Sequence, residues 1–136
     1  MAGSFKVTVD ANVQGPLASG EADRALSDWA TATAKALGDE GRGMLASFPM
    51  NKSGRSRGGF QANLKVLQRG PEATIPGPMI KGVTWSPWLE GTSKRNSSTR
   101  FKGYHLFRST RQTLQKRAPE VGQRELDKIM PRLGGS

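Results

Sequence analysis

Residues 20–48, GEADRALSDWATATAKALGDEGRGMLASF, decide the fold. Ala22, Leu26, Trp29, Thr33, Leu37, Met44 and Phe48 recur at helical spacing and so share one face of a long amphipathic helix. Ser19 stands where an N-cap belongs, and Glu21 and Asp23 follow in the first turn, where carboxylates suit the helix dipole. Pro49 stops the run. Gly38, Gly41 and Gly43 each cost about 1 kcal/mol against alanine in a helix interior. That cost predicts either a break near Gly38 or a backbone packed closely on a sheet.

Upstream, Phe5-Lys6-Val7-Thr8-Val9-Asp10-Ala11-Asn12-Val13 alternates apolar and polar residues, the period of a half-buried strand, and Gln14-Gly15-Pro16 ends it. Downstream, residues 51–59 (NKSGRSRGG) are polar, basic and rich in Gly and Ser, which predicts a mobile docking loop carrying Lys52, Arg55 and Arg57. Phe60, Ala62, Leu64 and Val66 alternate with polar residues and predict a second strand. Arg69-Gly70-Pro71 turns the chain, and Ile75-Pro76-Gly77-Pro78 argues against a long central strand there. Met79–Trp85 reads as a further strand, with Gly82 marking a bulge, before an aromatic loop over Trp85–Ser93. Tyr104, Phe107, Leu114 and Ala118 outline another helix. Pro119 at the first position, with Val121, Leu126, Ile129, Met130 and Leu133 beyond it, outlines a last one. The expected architecture is α+β: a small antiparallel sheet of about four strands, packed by one long N-terminal helix, with two C-terminal helices. The expected single domain spans 1–136: strand and linker at 1–19, long helix at 20–48, sheet and aromatic loop at 60–93, and C-terminal helices at 102–133.

Composition narrows the function. The chain has 136 residues, no Cys and one His, which excludes disulfides, thiolate chemistry and His- or Cys-based metal centres. No apolar run is long enough for a membrane span, and the first residues carry no signal-peptide core, so a soluble protein made in a cytoplasm is expected. Leu, Ile, Val and Phe make up 25 of 136 residues, a thin supply that points to stability gained on assembly. The net charge of +10 is uneven: net −2 over residues 1–50, +12 over 51–117 and zero beyond. Gly91–Arg117 holds eight cations and no acid: Lys94, Arg95, Arg100, Lys102, Arg108, Arg111, Lys116 and Arg117. Such a block calls for a negative counterpart, either phosphate, an acidic partner or the chain's own first half. No phosphate-cradling glycine motif, carboxylate pair or oriented histidine is present: Asp39 and Glu40 are adjacent, and His105 lies in a basic segment. No enzyme, cofactor or metal is therefore expected.

Two tryptophans around a proline, Trp85-Ser86-Pro87-Trp88, are costly to leave in water. They are either core or anchors of a subunit interface. Glu90, one of two acids between Asn51 and Arg117, is expected to pair with an arginine within the chain or across a subunit contact.

At this stretch the sequence resembles the tail-completion, or head–tail joining, proteins of long-tailed bacteriophages. That family carries a Tyr-Ala-x-Tyr-Val-Glu-x-Gly-Thr type loop after its sheet, then a basic aromatic segment leading into a C-terminal helix. Trp85-Ser86-Pro87-Trp88-Leu89-Glu90-Gly91-Thr92 occupies that loop, with Trp for both tyrosines and one residue fewer between Glu and Gly. Ser93-Lys94-Arg95-Asn96 and Thr99-Arg100-Phe101-Lys102-Gly103-Tyr104 are similar to the version in phages of actinobacteria. The resemblance spans about Ala22–Leu133 and is specific over Trp85–Tyr104. It implies a structural virion protein of the neck, a six-subunit ring between head connector and tail tube, assembled in the host cytoplasm. Its partners would be other copies of itself, a stopper or connector, a tail terminator or tail tube, and genomic DNA in passing, with no membrane. The implied interface residues are Trp85, Trp88, Glu90, Lys94, Arg95, Arg100, Phe101, Lys102 and Tyr104. The polarised charge suits head-to-tail contacts of the kind that close rings. The alternative is a nucleic-acid-binding module using the 94–117 stripe, with Phe101 and Tyr104 as stacking platforms.

Overall fold

The long helix forms where its periodicity places it, as α1 (Gly20–Ala46). The computed structural model describes residues 4–9, 20–50, 59–80, 83–84 and 86–133. The side chains of Glu21, Ala22 and Asp23, the cap at Ser19, and the docking loop with Lys52, Arg55 and Arg57 lie outside what it describes. Along α1, Ala25, Ala30, Thr33, Ala34, Leu37 and Leu45 are buried.

The glycines of α1 mark close packing, and the helix runs through them unbroken. A Cβ on Gly38 would lie 3.0 Å from the Ala73 Cβ, and one on Gly41 would lie 2.8 Å from the Phe5 ring and 2.9 Å from the Leu114 Cδ1. Gly43 faces open space. Gly41→Ala is therefore expected to destabilise the fold by about 1–3 kcal/mol through overpacking. Gly43→Ala should stabilise it by about 0.5–1 kcal/mol through the unfolded chain. Urea unfolding of the two variants reads both signs, and a shared sign would contradict this packing.

The sheet that receives α1 has three antiparallel strands, β1 (Phe5–Thr8), β2 (Leu67–Arg69) and β3 (Glu72–Ile75), in the order β1-β3-β2. Phe5 pairs with Ile75 and Thr8 with Glu72 on one side of β3, while Leu67 pairs with Thr74 and Arg69 with Glu72 on the other. The short β3 is thus the central strand, ended by Pro76. A separate two-stranded ribbon, β4 (Met79–Ile80) and β5 (Val83–Thr84), stands where one continuous strand was expected, so the four-strand sheet becomes three strands plus a ribbon.

The strand expected over Phe60–Val66 is absent. Gln61–Asn63 is a 3₁₀ turn opened by Gly59 at φ +70°, and the Ala62 and Asn63 N–H groups donate back to the Gly59 carbonyl. The turn lets Phe60 and Leu64 enter the core together while Ala62 stays exposed. Gln61 Nε2 then donates to the Leu45 and Phe48 carbonyls at 2.9 and 3.0 Å, tying the turn to the end of α1 and the residues just after it.

A short helix, α2 (Ser86–Glu90), occupies part of the Trp85–Ser93 stretch expected to be loop, and a second, α3 (Lys94–Ser98), follows it. In place of the two expected C-terminal helices stands one, α4 (Leu106–Ile129), closed by a 3₁₀ turn at Met130–Leu133. Pro119 sits inside α4 and does not split it into two. The lost bond falls on the exposed side, where water can reach the freed Gln115 carbonyl, and contacts to α1 hold the helix on both sides of the proline. Arg117 binds Glu40 at 3.0 Å just before it, and Trp29 Nε1 donates to the Gly122 carbonyl at 2.9 Å just after it. Leu106, Phe107, Thr110, Leu114 and Val121 form the buried face of α4. Phe107 meets Phe60 edge-on with ring centroids 6.3 Å apart, which joins the helix to the core.

Candidate functional site

The segment that carries the phage resemblance folds as one hydrogen-bonded knot over residues 86–108, organised by two buried polar side chains. The first is Glu90, 4 % exposed at the end of α2. Its two oxygens accept the Phe107 N–H at 2.7 Å and the Arg108 N–H at 3.1 Å. These donors belong to the first turn of α4, whose N–H groups have no partner inside the helix and whose dipole favours a carboxylate. Glu90 therefore caps α4 from a distance in sequence. The arginine partner expected for it is absent among the described residues, because backbone donors already occupy the carboxylate.

The second is Asn96, 3 % exposed in α3. Its Oδ1 accepts the Ser93 N–H at 2.9 Å, and its Nδ2 donates to the Trp88 and Phe101 carbonyls, each at 3.1 Å. One side chain thus ties α2, α3 and the strand-like run before α4. The Pro87 carbonyl accepts the N–H groups of Gly91, Thr92 and Ser93, which turns the chain sharply out of α2. Tyr104 N–H returns to the Leu89 carbonyl at 2.6 Å. Where the two runs cross, Gly91 (φ +103°) and Gly103 (φ +96°) lie backbone against backbone, and a Cβ on either would overlap the other run. Only glycine fits this crossing.

Over the knot lies an aromatic ladder. Trp88 and Phe101 have ring centroids 4.9 Å apart, and Phe101 meets Tyr104 at 4.9 Å edge-on. All three are half-buried and pack against the core. Trp88 is therefore both a packing residue and a surface one.

The cations divide in two. Lys102 Nζ donates to the Asn96 and Ser97 carbonyls at 2.8 and 3.3 Å, where it caps the end of α3. Arg117 bridges Glu40 and Glu120, and its guanidinium is held above its ordinary pKa, first by the hydrogen bond to Glu40 and then by Glu120. Lys94, Arg100, Arg108 and Arg111 are exposed and make no ion pair with any described residue. Trp85 and the side chain of Arg95 lie outside the described residues. Three acids that could meet these cations are engaged within the chain: Asp28 with Arg132 at 2.8 Å, Asp39 with Lys35 at 2.9 Å, and Glu40 with Arg117.

His105 adopts φ +53° just before α4 and lies over Gly91, and its ring makes no hydrogen bond with a described residue. No group of three or more His, Asp or Glu among the described residues could hold a metal ion, and no described helix is long and apolar enough to cross a membrane.

Sequence reasoning quoted Asn96 within the motif but gave it no role. An Asn in a polar run carries no visible sign of burial. Only its place between two aromatic turns hinted that its side chain would serve backbone groups.

Compared with family models, curated proteins and solved structures, the chain matches none of them.

Proposed function

We propose that the chain is a structural protein of a bacteriophage neck, a tail-completion or head–tail joining component that assembles as a ring between head connector and tail tube. The observation that carries this reading is the 86–108 knot, in which the motif residues Glu90, Gly91, Asn96 and Gly103 lock the backbone. Lys94 and Arg100 are exposed and make no ion pair with any described residue, and Trp88 is half-exposed. A locked backbone that presents a tryptophan and cations suits a protein interface, where Trp and Arg anchors sit inside a polar rim. The function requires no catalytic step, cofactor or metal, and its place is the virion.

One observation favours the alternative, a nucleic-acid-binding module. Asp28, Asp39 and Glu40 are already paired within the chain, so they are weak candidates as a neighbour's counter-charges. The aromatic ladder speaks against it: Phe101 and Tyr104 spend ring surface on each other, leaving less for stacked bases.

The test is Lys94→Glu combined with Arg100→Glu, two exposed positions that hold nothing else in place. The neck reading expects the double variant to fold normally and to lose ring or neck assembly, with weak DNA binding by the wild-type chain. The nucleic-acid reading expects tight DNA binding whose affinity falls steeply with salt, and its loss in the variant. DNA affinity that collapses while assembly survives would overturn the neck assignment. Trp88→Ala supplies a second check: a half-buried indole should cost the fold about 1–2 kcal/mol. As an interface anchor it should cost assembly about 2 kcal/mol or more. Thermal melts and assembly assays in parallel separate the two.

A further inference from the structure

β1 is an edge strand of the described sheet, and the parity of its ladder turns some of its main-chain groups away from β3. Val9 N–H donates to the Pro71 carbonyl at 2.9 Å, so Val9, Val7 and Phe5 turn their main-chain groups toward β3. The N–H and C=O groups of Lys6 and Thr8 therefore point away from β3, and among the described residues no backbone group bonds them there. Beside that edge runs a groove of about 440 Å³ between β1, α1 and α4, with Val7, Trp29, Leu37, Leu114 and Ala118 among its lining residues. Thr33 also lines it, 3 % exposed, and its hydroxyl has no hydrogen-bond partner among the described residues. Arg111 stands where this groove meets an adjoining depression shared with Lys6 and Glu72. Lys6 is held by Glu72 at 3.2 Å, whereas Arg111 has no ion-pair partner among the described residues.

We propose that this edge and groove bind an extended, acidic segment of another protein chain as an added strand. Each feature matches one property of such a segment. The outward donors and acceptors of Lys6 and Thr8 require an extended backbone alongside them. Alternate side chains of an added strand then fall over the apolar groove, and the Thr33 hydroxyl can meet a polar group at its floor. A carboxylate on the segment answers Arg111. The other open edge of the sheet, β2 of a second copy, is a poor occupant, because exposed Lys65 and Arg69 would face Arg111 with like charge. The groove shares no residue with the 86–108 knot, so its occupant can be tested whether or not the chain belongs to a phage neck.

The experiment titrates the full chain with two short soluble peptides that alternate valine and threonine, one ending in two glutamates and its twin in two lysines. The acidic peptide should bind, and amide exchange at Lys6 and Thr8 should slow by about tenfold or more at saturation. Thr8→Pro removes the outward N–H without touching the β3 ladder and should weaken binding about tenfold. Arg111→Glu, an exposed substitution that keeps the fold, should reverse the preference toward the lysine peptide. Equal affinity for both peptides, no binding, or protection confined to other amides would overturn the proposal. So would self-association of the free chain that Thr8→Pro abolishes, since a second copy would then own the edge.

Discussion

Glu90→Ala should destabilise the protein by about 3 kcal/mol, because two hydrogen bonds to an ionised acceptor vanish and leave N–H groups of the α4 first turn without their partner. In a chain of this size that loss lowers the melting temperature by roughly 10 °C. Phe107 is fully buried, so water cannot readily replace the carboxylate at its N–H. Glu90→Gln keeps one acceptor oxygen and turns an NH₂ group toward the other donor, and it should fall between wild type and alanine. Circular-dichroism melts check the ordering. A loss below about 1 kcal/mol for alanine would mean that the cap contributes no more than an ordinary exposed side chain.

Gly103→Ala should be costlier, about 4 kcal/mol. Its φ of +96° is one that an L side chain rarely adopts, and the new methyl would overlap the Gly91 backbone. Backbone strain of about 1–3 kcal/mol and a steric clash of similar size act together. Gly70→Ala is the control: its φ is +52°, yet nothing lies within 4 Å of the added Cβ. It should cost only the conformational part, about 1 kcal/mol. Hydrogen exchange locates the damage, with early opening expected across residues 86–105 in the Gly103 variant and not in the Gly70 one. Equal losses in the two would remove the backbone crossing as the cause.

The sequence makes α1 and β1 legible because each carries a clean period over its whole length. It misleads over Phe60–Val66, where a true four-residue spacing between Phe60 and Leu64 also satisfies an alternating pattern. The exposed Ala62 is the residue that tells the two apart, and its exposure is a tertiary fact. Pro119 reads as a stop because local rules penalise it, while the clasp of Arg117 on Glu40 and of Trp29 on Gly122 acts from another helix. The knot is the least legible part. Its two five-residue helices are too short to announce themselves and depend on Glu90 and Asn96. Counting charges assigned Glu90 to an arginine because formal charge ignores the partial charge of a helix start. The inward role of Glu90 and Asn96 was not readable.

The register of the sheet bears on how the chain is made. Phe5 pairs with Ile75, seventy positions later, and its ring also lies against the Gly41 and Leu114 contact between α1 and α4. During synthesis, β1 and the first helix leave the ribosome long before either partner exists. β1 must wait unpaired until β3 has emerged, and its Phe5 ring stays without Leu114 until α4 follows. Folding is thus completed only after translation of nearly the whole described chain, and a nascent protein holds β1 without its partner until β3 arrives. A ribosome stalled before Leu114 should display a chain that proteases and chaperones still recognise as unfinished.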